Sequence, residues 1–121
     1  MSNALQYMER HNWSYLGGLF DGEGSAGVYR YRRDKTLGGY QAAMVPVCQL
    51  KMTDREPVDL LSLMFPAYGV YEYKIKSGKT VYVWSCSYKG AVKFSKKILP
   101  YLVNKSKIKQ IRMVMNAYGK V

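Results

Sequence analysis

Histidine and cysteine are almost missing from this sequence: His11 stands alone, and the two cysteines, Cys48 and Cys86, each fall in an apolar-alternating, strand-like run. Two such thiols favour buried free cysteines over a disulfide framework. One histidine is too few for a structural zinc site, so any metal here is expected to be hard and oxygen-ligated. No stretch approaches the roughly 18 uninterrupted apolar residues that a membrane span needs, and the first residues lack the basic-then-apolar order of a signal peptide. The expectation is a soluble intracellular protein with no membrane partner. Acidic residues are also scarce, 8 against 19 Lys and Arg, which leaves a formal charge of +11. Such an excess favours a polyanionic partner, because clustered cations gain free energy by releasing counterions from nucleic acid. Basicity alone does not separate DNA from RNA or from an anionic lipid surface.

What is present fits one compact domain over 1–121, since 121 residues that are 48% hydrophobic bury one modest core and hardly two. No repeat, low-complexity tract or linker stands out. Trp13 to Phe20, preceded by Asn12 as N-cap, reads as a helix that stops where Gly22 and Gly24 accumulate. Ser25 to Arg33 and Tyr40 to Lys51 read as strands joined by a glycine-bearing hairpin connection. Pro46 argues for an edge or irregular position in the second of them. Thr53, Asp54, Arg55 and Glu56 read as a capping box opening a helix that ends at Pro66. Gly69 to Lys76 and Thr80 to Tyr88 form a second hairpin, with Tyr82, Trp84, Cys86 and Tyr88 on its core side. Gly90 to Leu99 and Asn104 to Tyr118 read as two further helices. The order predicts an α+β fold, helices covering one face of a four-stranded antiparallel sheet.

The opposite sheet face is expected to be polar and basic. Tyr29, Tyr31 and Arg33 share it by period two, joined by Gln49, Lys51, Lys74 and Lys76, and a face of this kind is either merely solvated or a nucleic-acid saddle. The scarcity of acids on these strands, Glu72 alone, favours the saddle. Arg30 and Arg32 fall on the other face. In the first helix Ser14, Gly18 and Gly22 recur every four residues, widened by Gly17, and such a stripe lets two helix backbones approach closely. The partner is either the chain's own sheet or a copy of the same helix. Asp21 and Glu23 follow the stripe. They are ordinary exposed acids unless a two-fold axis brings two copies together, where close like charges call for protonation or a divalent cation.

The string Leu16-Gly17-Gly18-Leu19-Phe20-Asp21-Gly22-Glu23-Gly24, followed by Ser25, resembles the LAGLIDADG motif of homing endonucleases position by position. The element order is similar to that family's αββαββα fold, with its four-stranded antiparallel saddle, and Leu99-Pro100-Tyr101-Leu102 with Lys105 downstream is similar to the family's segment before its last helices. The resemblance spans about Trp13 to Tyr118. It implies a homodimeric, site-specific endonuclease that cuts both strands of a long pseudo-palindromic duplex DNA site, as in intron homing, with Mg²⁺ as cofactor and Mn²⁺ or Ca²⁺ as substitutes for binding.

By that resemblance Glu23 binds the catalytic metal, one from each subunit, with the Gly22 carbonyl as a further oxygen ligand. Lys105 stabilises phosphate charge, and Gln49 or Thr53 supplies the polar group that the family places at the end of the second strand, where this chain has Met52. Ser14, Gly18, Leu19 and Gly22 form the dimer contact, and Asp21 is structural. The DNA readers are Tyr29, Tyr31, Arg33, Gln49, Lys51, Lys74 and Lys76. The alternative is a non-cutting relative, an intron RNA maturase or a DNA-binding regulator. Met52 favours that alternative, Glu23 opposes it. A basic sheet unrelated to the family that binds single-stranded RNA is opposed by the motif. Organellar, bacterial, archaeal and phage origins all fit.

Overall fold

The structure, a computed structural model, describes residues 3–32, 42–66 and 69–119. In chain order the elements are α1 (Asn3–Glu23), β1 (Gly24–Arg32), β2 (Ala42–Met52), α2 (Arg55–Met64), β3 (Gly69–Lys74), β4 (Thr80–Ser87), α3 (Tyr88–Ile98), a 3₁₀ turn (Leu99–Tyr101) and α4 (Lys105–Gly119). The strands form one antiparallel sheet in the order β1-β2-β4-β3. The helices pack on one of its faces, as the hydrophobic pattern predicts. The core is built from α1 (Trp13, Leu16, Phe20), the strands (Ala26, Cys48, Leu50, Trp84, Cys86) and the remaining helices (Val58, Leu61, Phe94, Ile98, Ile111, Val114).

Phe94 is the centre of this core. Its ring lies 4.7 Å from Trp84, 5.5 Å from Phe20, 5.6 Å from Phe65 and 6.1 Å from Trp13, centroid to centroid, in tilted and edge-to-face arrangements that suit the aromatic quadrupole. One ring therefore joins α1, β4, α3 and the end of α2. The Trp84 indole N–H donates to the Phe65 carbonyl at 3.2 Å, which satisfies the one polar atom that this large side chain brings into the core.

Several element ends differ from the sequence expectation. The first helix starts well before Trp13, and Asn12 is not its cap: it lies inside α1, where its amide contacts the Met64 sulfur at 3.8 Å. The capping box before α2 is not formed. Asp54 is the N-cap, in extended conformation and without a side-chain cap hydrogen bond, and Arg55 instead pairs with Asp59 one turn on, at 3.2 Å. Tyr88 leaves the core row of β4, because its φ of 54° turns the chain into α3 and leaves its side chain exposed. Pro46 sits in β2, a central strand, yet β2 pairs with β4 only from Val47 onward. At Pro46 the strand has β1 alone as a neighbour, so the missing N–H costs no bond toward β4. The connection 34–39 and Arg33 lie outside the described residues.

Cys48 and Cys86 face each other directly across β2 and β4, both free and both buried. Cys48 Sγ lies 3.4 Å from Ser95 Oγ and 3.7 Å from the Ala91 carbonyl oxygen. The hydrogen bond to Cys48, then burial, push the Cys86 thiol far above its ordinary pKa. As pH rises past the unfolded thiol's value of about 8.5, the unfolded chain loses this proton while the folded chain keeps it, so stability falls. The same hydrogen bond draws the Cys48 thiol below its ordinary value, which works in the opposite sense below about pH 8.5. Urea unfolding at pH 9 and pH 10, where Cys48 is largely ionised in both states, is therefore expected to show the loss, up to about 1.4 kcal/mol per pH unit. Cys86→Ala is expected to flatten the slope.

The paired glycines of α1 also behave differently. A Cβ on Gly17 would lie 2.4 Å from Tyr101 Cβ and 2.7 Å from the Tyr101 carbonyl oxygen, whereas one on Gly18 would meet nothing within 4 Å. Gly17 is thus the point at which α1 meets the 3₁₀ turn, not a widening of the outward stripe. Gly17→Ala is expected to destabilise the fold by about 1–3 kcal/mol through overpacking against backbone. Gly18→Ala is expected to leave stability unchanged or raise it by up to about 1 kcal/mol through helix propensity, read from the same unfolding midpoints.

Candidate nucleic-acid interface and acidic pocket

Helix α1 passes into β1 without an intervening residue, Glu23 closing one and Gly24 opening the other. Gly24 is required there, since a Cβ would fall 2.2 Å from the Phe20 ring. Asp21 locks the junction from the other side. Its carboxylate accepts from the backbone N–H groups of Val103 (2.8 Å) and Asn104 (3.1 Å), and its carbonyl accepts from the Asn104 amide at 3.3 Å. Asn104 in turn caps α4 by accepting from the Ser106 N–H at 2.9 Å. Along α4, Lys107 donates to the Gly24 carbonyl, and Gln110 Oε1 accepts from the Ala26 N–H at 3.1 Å. These side chains cover the free edge of β1, whose outward backbone groups would otherwise offer a template for another strand. Asp21 has the structural role that the sequence assigns it.

Glu23 is exposed at the rim of an open pocket of about 350 Å³, which is lined by Glu23, Lys51, Met52, Thr53, Asp54 and Val81. Two carboxylates, one hydroxyl and one ammonium thus border the same space. Thr53 stands where the sequence allows it as a polar substitute. Met52 packs its side chain against the core, which accounts for an apolar residue at this position. Asp54, taken for part of a capping box in the sequence, is the acid that sequence reasoning missed. Its presence follows from the strand β2 ending at Met52 and turning at once into α2.

The other two residues expected beside Glu23 do not line this pocket. Gln49 lies on the open sheet face, opposite Ser25 on β1 and Ser85 on β4. Lys105, exposed at the first position of α4, belongs to a separate groove of about 500 Å³ with Ile108, Lys109, Arg112, Met113 and Asn116. Lys107, two residues on, is the lysine that reaches the helix-to-strand junction. Among the described residues no group of three or more His, Cys, Asp or Glu side chains is placed to hold a metal. The oxygen donors of the pocket suit a hard cation, with Glu23 and Asp54 as the carboxylates of this chain, and most of the coordination shell would come from elsewhere.

The outward stripe of α1 is open. Ser14, Gly18 and Gly22 are exposed, and among the described residues nothing lies within 4 Å of a Cβ on either glycine. Leu19, expected in the same contact, is half-buried and packs against the chain's own core.

The open sheet face is less basic than the sequence predicts. Strand register places Tyr29 opposite Val45, Gln49 between Ser25 and Ser85, Lys51 beside Val83, and Val83 and Val81 opposite Tyr71 and Tyr73. Tyr29, Tyr31, Gln49 and Lys51 therefore share this face as expected, Tyr31 by its backbone position only. Lys74 does not. It pairs with Thr80 and shares its side of β3 with Glu72 and Val70, opposite Tyr82 and Trp84, on the face that the helices occupy. Lys76 lies past the end of β3, in the turn to β4, and Arg33 is outside the described residues. The reason is a one-residue shift of parity, which moves every side chain of a strand to the other face. Tyr71 and Tyr73 take the places given to the two lysines, and the period-two pattern of β3 would have found them once its register was known.

No family model matches the sequence, and none of the curated proteins does. Solved structures do match the fold. The homing endonuclease I-CvuI in complex with its DNA target superposes with a TM-score of 0.71 at 17% identity, over 94% of this chain and 69% of that one. The archaeal intron-encoded homing endonuclease I-Vdi141I, complexed with DNA, gives 0.64 at 19% identity over 93% of this chain and 71% of its own. The I-LtrWI LAGLIDADG homing endonuclease bound to target DNA gives 0.66 at 22% identity over 89% of this chain, which spans 36% of that larger protein. With the motif string at the end of α1 and the β1-β2-β4-β3 sheet beneath the helices, the chain has the fold of the LAGLIDADG homing endonucleases.

Proposed function

We propose that this chain is a site-specific double-strand DNA endonuclease that acts as a homodimer with a divalent cation, Mg²⁺ in the first place. The observation that carries the reading is the position of Glu23. It is an exposed acid fixed at the end of a helix whose outward stripe is bare of side chains. Two copies of α1 approaching along Ser14, Gly18 and Gly22 would bring two Glu23 carboxylates near one axis, and that pairing of like charges is stable with a cation between them. The solved structures of this fold named above are homing endonucleases with bound DNA, which supports the same reading.

In this proposal Glu23, with the Gly22 carbonyl, holds the cation, and Asp54 and Thr53 orient water in the pocket. Lys51 borders the same pocket. The cation, when bound, supplies a nucleophile at neutral pH and charge stabilisation at the phosphate. Asp21 and Gly24 hold Glu23 rigidly by fixing both sides of the junction. Lys105 contributes only if a phosphate or a second copy brings its groove to the Glu23 pocket.

A second reading, a DNA- or intron-RNA-binding relative that does not cut, is favoured by Met52, an apolar residue bordering the pocket at a position that a polar group would use. The two readings separate in a selection of cleaved sequences from a randomised duplex library with Mg²⁺. Metal-dependent double-strand cutting is expected, and Glu23→Gln is expected to reduce its rate by at least about 100-fold, the order lost when one group stabilising transition-state charge is removed, while duplex binding is retained. Tight duplex binding with no cutting under Mg²⁺ or Mn²⁺ would establish the second reading.

The dimer is tested through the stripe. Gly18→Leu adds a good helix former where the chain itself has room, so the fold is expected to survive with its ordinary circular dichroism spectrum. Double-strand cleavage is expected to be lost, and sedimentation of the variant on DNA to show single copies. A wild-type chain that is monomeric on its selected duplex would exclude the two-fold site.

A further inference from the structure

The open sheet face divides into two halves of different chemistry. On β1 and β2 it carries, beside Tyr29, Val45 and Val47, the side chains Gln49 and Lys51, which discriminate bases by directed hydrogen bonds. On β3 and β4 it carries Tyr71, Tyr73, Val81 and Val83 and no charge. Val83 is fully buried, 0% exposed, between Lys51 and Tyr71, while Tyr71 and Tyr73 are 49% and 40% exposed above it. The two rings stack on each other at 6.5 Å with an interplanar angle of 29°, so a base does not take the place between them. Basic residues border this half instead of filling it: Lys76 and Lys79 lie in the β3–β4 connection, and Lys74 on the reverse side of β3.

Cations at the border and an uncharged aromatic surface within it match the division of labour on duplex DNA, where phosphate contacts position and base-edge contacts specify. A tyrosine hydroxyl both donates and accepts, so it discriminates poorly between base edges. The ring discriminates by being apolar. In the major groove of DNA the apolar feature is the C5-methyl group of thymine. RNA presents neither that methyl nor an accessible major groove.

We infer that Tyr71 and Tyr73 form a specificity-determining surface that selects thymine through its methyl group, in a part of the half-site separate from the bases met by Lys51 and Gln49. Tyr71 stands two strands from Lys51 across β4, about 10 Å at a strand spacing of roughly 4.8 Å. That is about three base-pair steps of roughly 3.4 Å. The inference rests on the DNA-binding reading above.

The test uses the full chain without divalent metal, so that binding is read without cutting. Duplexes are selected from a random library, and a selected duplex is remade with deoxyuridine in place of thymine, one position at a time. At one or two positions of each half-site, removal of the methyl is expected to weaken binding about four-fold, the equivalent of burying one carbon at about 0.8 kcal/mol. At those positions Tyr71→Ala with Tyr73→Ala is expected to bind the thymine and uracil duplexes equally, whereas Tyr71→Phe with Tyr73→Phe keeps the difference. Selection of a duplex whose thymine and uracil forms bind alike at every position overturns the inference and leaves DNA binding intact. A methyl effect that persists in the alanine variant assigns it to other residues and also overturns it. Failure to select any duplex overturns the DNA-binding reading and the inference together.

Discussion

The absence of any linker between α1 and β1 is the constraint on which the rest of the molecule depends. A helix that becomes a strand within one peptide unit has no slack, so the direction of β1 follows from the axis of α1 and the packing of Phe20 over Gly24. The same junction receives α4, through the Asp21 carboxylate and the Lys107 and Gln110 side chains. Three elements that are far apart in sequence thus meet where Glu23 is presented. A functional acid on a mobile loop would sample many positions, but here its backbone is held by a helix, a strand and a hydrogen-bonded clasp, the kind of rigid support that precise chemistry requires.

The arrangement also explains why one short string carries several separate tasks. Gly17 allows α1 to touch the 3₁₀ turn at Tyr101, Gly18 and Gly22 leave the outer stripe bare, and Gly24 makes room for a ring. Phe20 joins the core through Phe94. Gly17 and Gly24 answer to different neighbours and Gly18 and Gly22 to none, so these glycines are not interchangeable despite their proximity.

Much of this was legible in the sequence because helix and strand periods report burial directly. The faces of β2 were read correctly from alternation, Cys48 and Leu50 inward and Gln49 and Lys51 outward, and so was the core side of β4 at Trp84 and Cys86. Asp21, read from the motif as structural, is found in hydrogen bonds to the Val103 and Asn104 N–H groups. What was not legible had a common physical cause. Lys74 was assigned to the wrong face because parity along a strand is fixed by pairing with its neighbour, and the isolated pattern of Gly69 to Lys74 is ambiguous by one residue. Asp54 was hidden because a residue between a strand and a helix reads as a cap whatever else it lines. Tyr71 and Tyr73 were passed over as readers because tyrosine is at home on either side of a sheet.

The correction of β3 changes the electrostatic argument more than it changes the fold. A net charge of +11 first pointed to a charged saddle, but among the described positions of the open face only Lys51 is cationic. The other basic residues among those described lie on the helices, in the β3–β4 connection and on the reverse side of β1 and β3. For a polyanion this placement is the more effective one: phosphates lie at the outside of a duplex, so cations around the edge reach them, while a charge in the centre of the sheet would have to be desolvated against base edges. A central face of tyrosine, valine, serine and glutamine is therefore suited to distinguish bases. On the proposed DNA-binding reading, the basic rim supplies affinity that is independent of sequence, and strong dependence on salt follows from it. Overall charge favours a polyanionic partner, but the strand register decides which residues a partner on the open face would meet.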